Sequence, residues 1–166
     1  MPTSLNEHLC YREVFMKVSE YLREDCCVIG LAAKDKEGAI GEIAKKLGVS
    51  GKVINVDKFI ADILERESLG STGIGNNIGI PHARTDAVSG FVIGFGQSKE
   101  GVDFKSLDDQ RVNLIFLMGA DPKELNFYLR ALAELSKLLM NKTFRQALME
   151  AKTPSDVIAI IRQFEN

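Results

Sequence analysis

The sequence predicts an α/β domain in which strands alternate with helices, followed by a helical carboxyl-terminal third. Two apolar segments rich in β-forming residues, 91–97 and 112–118, have the length of buried strands. Apolar residues recur at three- and four-residue spacing in 39–47, 56–64 and 125–139, which predicts amphipathic helices. The 166 residues are enough for one domain with a sizeable core.

The boundaries of the first elements follow from local signals. The apolar run 27–32 has the length of a strand, and Asp35 is placed to cap a helix that Gly48 ends. A second helix begins at about Val56, and Gly70 stops it.

The segment 70–82 is unusual, because its four glycines, two asparagines and one proline are interleaved with isoleucines. Such a composition is typical of neither a helix nor an ordinary linker, so we predict a strand entered and left by specialised turns. In the carboxyl-terminal third, the pairs Asp121-Pro122 and Thr153-Pro154 predict helix starts. Asn141 predicts a helix restart between them.

Composition excludes several classes of function. The net charge of −2 gives no basic field that would hold a nucleic acid. No apolar run approaches the roughly 20 residues of a membrane-spanning helix. Cys10, Cys26 and Cys27 match neither a disulfide framework nor a zinc-site spacing. We therefore expect a reduced cytoplasmic protein that does not span the membrane.

One of the two histidines is a candidate for chemistry. His8 lies near a terminus without ligand-like neighbours. His82, in contrast, follows an apolar segment and Pro81, a residue whose ring fixes its own φ at about −65°. No His/Cys cluster, serine-nucleophile elbow or P-loop is visible. Two interpretations remain open: a neutral imidazole that attacks a phosphorus centre, or a Pro-His turn that merely closes a strand.

A histidine that carries a phosphoryl group needs positive charge and hydrogen-bond donors around it. Arg66, at the end of the second predicted helix, is the first candidate for the charge. Four residues between Arg66 and His82 could supply donors, namely Ser71, Thr72, Asn76 and Asn77.

The segment 64–82 resembles the active-site signature of type-2 enzyme IIA, the fructose/mannitol/nitrogen-regulatory family of the bacterial phosphoenolpyruvate:sugar phosphotransferase system. The similarity covers roughly 16–161, including 104–116 and the helix restart at 141–143. It implies a mixed, mostly parallel central sheet flanked by helices on both faces.

The resemblance also implies a reaction and partners. The phosphocarrier HPr, or an HPr-like protein, would donate a phosphoryl group to His82, and Arg66 would stabilise it. The group would then pass to a cysteine of an enzyme IIB of the sugar transport system. The chain would thus be a phosphotransferase that works without a nucleotide or metal cofactor.

The chain departs from the family pattern in two places. The family usually has a second histidine early in the helix after the last core strand, and Tyr128 falls at that position here. A tyrosine hydroxyl can donate one hydrogen bond but carries no charge at neutral pH, and Arg130 or Lys123 are candidates to compensate. Residues 1–15 extend beyond the family domain, which we place at 16–166.

Several functional interpretations stay open within this family. The run 70–76 and the expectation that the domain stands alone favour the nitrogen-regulatory branch, in which the phosphorylation state regulates partner proteins. The missing second histidine suits a sensor at least as well as a fast carrier. The alternative is a non-catalytic regulatory binding protein of the same fold with impaired phosphotransfer. A domain that is never phosphorylated is a further interpretation, which the intact His82 and Arg66 disfavour.

Overall fold

The computed structural model describes residues 16–166, so the predicted extension 1–15, with His8 and Cys10, lies outside the described residues. Six strands form the sheet, namely β1 Cys27–Ile29, β2 Gly73–Gly75, β3 Ile78–Gly79, β4 His82–Arg84, β5 Phe91–Val102 and β6 Val112–Ala120. Within residues 16–166, five α-helices accompany it, namely α1 Lys36–Leu47, α2 Val56–Ser68, α3 Leu125–Leu139, α4 Lys142–Glu150 and α5 Pro154–Glu165.

The sheet is mixed, as the family resemblance implies. Its order is β1-β5-β6-β3-β2, and β4 also pairs with β6. Among the described strands, the pairings β1–β5, β3–β6 and β4–β6 are parallel, whereas β2–β3 and the long β5–β6 hairpin are antiparallel. The centre of the sheet is therefore an antiparallel hairpin with parallel strands added on both sides.

Helices cover both faces of the sheet. Alternate residues of β5 point to opposite faces, so their contacts identify the helix on each side. A Cβ atom on Gly94 or Gly96 would meet Ile43 of α1 at 2.8 or 2.6 Å. Gln97 faces the other way, and its Nε2 donates to backbone oxygens at the end of α4, including Leu148 O at 2.7 Å. The predicted layered architecture is thus confirmed.

Glycine also allows α2 to approach β6 closely. A Cβ atom on Gly119 would lie 2.5 Å from Cε2 of Phe59, a fully buried residue of α2. No side chain larger than hydrogen fits there unless the buried Phe59 ring shifts, and α2 with it. The position of α2 relative to the sheet is therefore set in part by the packing of the Phe59 ring on the backbone of β6.

The predicted single strand in 70–82 is wrong in detail, because the segment folds as the β2–β3 hairpin followed by β4. Asn76 and Asn77 have φ of 54° and 64°, the paired left-handed geometry of a tight hairpin turn. β3 and β4 both run beside β6, and Pro81, which has no N–H, separates them.

The predicted helix caps are confirmed, with one correction. Oδ1 of Asp35 accepts from Gly38 N at 2.7 Å, and Thr153 forms a capping box with Asp156. After Asp121, however, a 3₁₀ turn over Pro122–Glu124 precedes α3. None of the helices among residues 16–166 combines the length and apolarity needed to cross a membrane.

Candidate functional site

His82 lies in an open depression of about 870 Å³ between α2, β4 and the start of α3, which we call the His82 depression. His82 is the first residue of β4 and pairs with Met118, near the carboxyl end of β6. It therefore lies just past the carboxyl end of β3 and near that of β6, which are parallel to each other, and α/β folds commonly place their sites at such ends. The depression is lined by Arg66, Leu69, His82, Arg84, Leu125, Tyr128 and residues of the 58–65 and 85–86 segments, among others.

The two ring nitrogens of His82 have different surroundings. Nδ1 lies 2.6 Å from the carbonyl oxygen of Ile80. Because a carbonyl oxygen only accepts, Nδ1 must be the nitrogen that carries the proton. In the neutral ring, the lone pair is then on Nε2.

The surroundings of His82 also favour its neutral form. Its pKa is lowered from the usual value chiefly by burial and further by the positive charge of Arg66, against opposing effects of the Ile80 carbonyl and the Glu67 carboxylate. At neutral pH the imidazole is therefore an uncharged base with an available lone pair on Nε2. Such a group can act as a nucleophile.

Arginine side chains supply positive charge to the depression from two elements. Arg66, in the last turn of α2, donates from Nη1 to Gly70 O at 3.1 Å, which holds its guanidinium at the rim. Arg84 is exposed and also lines the depression. Sequence reasoning missed Arg84, although its spacing of two from His82 along a strand would place both on one face.

Tyr128, at the position where the family usually has a second histidine, lies beside His82. The two ring centroids are 5.8 Å apart with an interplanar angle of 52°. Burial raises the pKa of Tyr128 to about 12, so its hydroxyl stays protonated at neutral pH. The residue can donate one neutral hydrogen bond in the depression.

The other cation lining the depression is engaged in ion pairs. Lys58 Nζ lies 2.8 Å from Asp62 Oδ2 and 2.8 Å from Asp86 Oδ1. Neither Arg130 nor Lys123 is among the described residues that line the depression. Arg66 and Arg84, rather than these two candidates, therefore provide its positive charge.

Ser71 and Thr72 do not line the depression, although the sequence nominated them as phosphate-binding donors. The hydroxyl of Ser71 donates to Phe104 O at 3.2 Å. Thr72 is buried, and its hydroxyl donates to the carboxylate of Glu67. Both hydroxyls are used within the fold, because the segment that carries them packs against α2 and the segment after β5.

Asn76 and Asn77 are also absent from the lining of the depression and form the turn of the β2–β3 hairpin. Nδ2 of Asn77 donates to Arg111 O at 2.8 Å. Both asparagines border a different hollow, together with Lys142 and Arg145. Of the residues nominated from sequence, the structure thus groups Arg66, His82 and Tyr128 and separates the other four from them.

Residues 20–164 match the family described as "Phosphoenolpyruvate-dependent sugar phosphotransferase system, EIIA 2". The chain is 41% identical over 150 residues to the "PTS system fructose-specific EIIABC component" of Bacillus subtilis. That alignment covers 90% of this chain and 24% of the relative, so the chain spans about a quarter of the length of that protein.

Solved structures are similar in fold. The crystal structure of nitrogen regulatory protein IIA-Ntr from Neisseria meningitidis superimposes with a TM-score of 0.80 at 26% identity, covering 87% of this chain and 98% of that one. Enzyme IIAMTL of Escherichia coli, in its complex with phosphorylated enzyme IIBMTL, superimposes with a TM-score of 0.73 at 23% identity. That second match covers 86% of this chain and 99% of the other.

Proposed function

Because the chain belongs to the EIIA type-2 family of the phosphoenolpyruvate-dependent sugar phosphotransferase system, we propose that Nε2 of His82 accepts a phosphoryl group from an HPr-like carrier and passes it on. The observation that carries this proposal is the hydrogen bond of 2.6 Å between Nδ1 and Ile80 O. It assigns the proton to Nδ1, and it leaves the lone pair on the nitrogen that is free to react.

The transfer needs no cofactor to balance. The lone pair of Nε2 forms a bond to phosphorus, while the bond from phosphorus to the donor atom breaks and its electron pair returns to the carrier. Nδ1 keeps its proton throughout, and its bond to the Ile80 carbonyl stabilises the positive charge that the ring acquires. The Ile80 carbonyl therefore stabilises the ring most strongly in the transition state and product, where the ring is positively charged.

The arginines act on the group that is transferred. Its oxygens carry negative charge, which the guanidinium groups of Arg66 and Arg84 can neutralise with charge-assisted hydrogen bonds. Tyr128 would add one neutral bond in place of the charged one that a second histidine could supply. We therefore assign acceptance to His82, stabilisation to Arg66 with Arg84, and orientation to Tyr128.

The destination of the phosphoryl group is either an enzyme IIB or a regulated protein, both in the cytoplasm. The relatedness to the Bacillus subtilis fructose-specific component supports transfer toward a sugar permease. The neutral Tyr128, in place of a second histidine, suits the second candidate at least as well, namely a nitrogen-regulatory protein whose phosphorylation state regulates partner proteins. A binding protein of this fold with impaired phosphotransfer is the limiting form of that second candidate.

Incubation with phosphoenolpyruvate, enzyme I and HPr, followed by intact mass measurement, tests acceptance. We expect a mass increase of one phosphoryl group that is acid-labile and absent in His82→Ala. A His82→Ala protein that still gains the group would refute the assignment. Rapid transfer from the phosphorylated protein to purified fructose-type enzyme IIB would support the sugar route over the regulatory one.

A further inference from the structure

Glu67 follows Arg66 directly in α2, yet its buried side chain, 2% exposed, is used inside the fold. Its two carboxylate oxygens accept from the backbone N–H of Thr72, each at 3.2 Å, and the carboxylate also accepts from the Thr72 hydroxyl. A buried carboxylate is destabilising unless it is paired and hydrogen-bonded. The Glu67 carboxylate and the Thr72 groups that donate to it therefore hold each other in place.

Lys36 neutralises the carboxylate from the first turn of α1. Its Nζ lies 2.9 Å from Oε2 of Glu67, and its side chain is only 15% exposed. The ammonium also lies 4.9 Å from the centroid of the Phe104 ring, within the range of a cation–π contact. The Lys36–Glu67–Thr72 cluster thus joins α1, α2 and the segment before β2.

This cluster connects to His82 through the backbone. The carbonyl oxygen of Thr72 accepts from Ile80 N at 3.1 Å. The carbonyl oxygen of the same Ile80 is the group that lies 2.6 Å from Nδ1 of His82. Both Thr72 and Ile80 are buried, so water does not readily replace either bond.

We propose that Glu67 is a positioning residue for His82: by fixing Thr72, it fixes the Ile80 carbonyl that keeps the proton on Nδ1 and the lone pair on Nε2. This inference rests on the proposed function of His82. In this proposal the Thr72 hydroxyl does not contact the phosphoryl group. It helps instead to hold the backbone that orients the His82 ring.

Glu67 also acts on His82 through its charge, and this effect opposes that of Arg66. The charges that shift the pKa of His82 are those of Arg66 and Glu67 in α2, and the titratable group that faces the ring from α3 is Tyr128, which is neutral. Arg66 lowers the pKa of His82, whereas the carboxylate of Glu67 raises it. Removing the negative charge of Glu67 should therefore lower the pKa of His82 further. Titration of His82 would then report the influence of Glu67.

The test compares Glu67→Gln, Thr72→Val and Thr72→Ser with the unmodified full chain. Phospho-HPr serves as the donor, and ¹⁵N chemical shifts of the His82 ring report the tautomer. We expect Glu67→Gln and Thr72→Val to slow phosphorylation about tenfold and to show a mixture of the two tautomers. Thr72→Ser keeps the hydroxyl and should restore the single tautomer and a rate near that of the unmodified protein.

Glu165→Gln is the matched control, because Glu165 of α5 likewise accepts from a backbone N–H and a hydroxyl, both of Ser19, at 3.1 and 2.6 Å. It should leave both the rate and the tautomer unchanged. An equal slowing by Glu165→Gln, or equal rates in Thr72→Val and Thr72→Ser, would overturn the positioning role. The Thr72 pair decides the question even if Glu67→Gln does not fold.

The two proposals fail in different ways. If the unmodified chain gains no phosphoryl group on His82, the proposed function fails before any variant is made. If the unmodified chain is phosphorylated on His82 while Glu67→Gln and Thr72→Val react at the same rate with Nδ1 protonated, only the positioning role of Glu67 is refuted.

Discussion

Segments 71–77 and 81–84 are separated by only three residues, but their polar side chains have different tasks. Ser71, Thr72 and Asn77 donate to groups inside the fold. His82 and Arg84, in contrast, line an open depression. A side chain whose donors already have protein partners cannot also bind a phosphoryl group without losing those bonds.

The difference arises from the topology of the sheet. Segment 71–77 enters the sheet edge as the β2–β3 hairpin and is packed against the segment around Phe104. Segment 81–84 runs beside the end of β6, next to α2 and the start of α3. The second segment therefore faces the His82 depression, whereas the asparagines at the end of the first segment border the separate hollow beside Lys142 and Arg145.

The largest effect on transfer should come from the depression itself. Arg66→Ala removes a guanidinium that stabilises the transferred group, so we expect phosphorylation by phospho-HPr to slow about 10²-fold. Stopped-flow or quenched mass measurement gives the rate. Arg66→Lys should recover only part of it, because an ammonium lacks the planar fork. Wild-type kinetics in Arg66→Ala would mean that the positive charge lining the depression does not act on the transferred group.

Asn77→Ala should do the reverse and affect stability without affecting transfer. It loses the bond to Arg111 O and places alanine at φ 64°, so the free energy of unfolding should fall by about 2 kcal/mol. Urea denaturation measures this loss. A slowed transfer at a temperature where the variant is fully folded would mean that the hairpin turn participates in the reaction.

Tyr128→His should lengthen the lifetime of the phosphorylated form. A protonated imidazole donates a charge-assisted bond worth about 1 kcal/mol more than a neutral hydroxyl, which corresponds to roughly fivefold. The decay of the phosphorylated mass measures the lifetime. Tyr128→Phe is the control and should shorten it, because the hydroxyl is lost. Unchanged lifetimes in both variants would place position 128 outside the reaction.

The smallest effect should be a pH dependence of stability due to His82. Since burial lowers its folded-state pKa, the unfolded chain binds a proton first as pH falls through about 6.5. The contribution to stability is therefore complete above that pH and is lost progressively below it. His82→Gln removes this contribution. The difference in the free energy of unfolding between the unmodified protein and the variant should therefore be constant above about pH 7.5 and change as the pH falls below it.

Much of the framework follows from local signals in the sequence. Asp35, Asn141 and Thr153 cap the helices that their residue types predict, since a cap depends only on neighbours three residues away. The hairpin at Asn76 and Asn77 was missed because asparagine adopts a left-handed φ less readily than glycine. The two adjacent asparagines between Gly75 and Ile78 are nevertheless a signal of a two-residue hairpin turn.

The site was predictable only in part. Residue types and spacing made His82 and Arg66 candidates, a specific resemblance gave them a role, and alternation along β4 would have added Arg84. The engagement of Ser71 and Thr72 could not be read from sequence, because it depends on where distant partners lie. Phe104 is 33 residues from Ser71, and its carbonyl reaches the hydroxyl only after the sheet has formed.

The close approach of Phe59 to Gly119 gives a remote position influence over the reaction. α2 carries Arg66 at its far end, and Gly119 pairs with Ala83, the neighbour of His82. One methyl group at position 119 would force the helix and the sheet apart and so change the separation of the arginine and the histidine. A substitution at position 119 would thus change phosphoryl transfer from a residue that the phosphoryl group never touches.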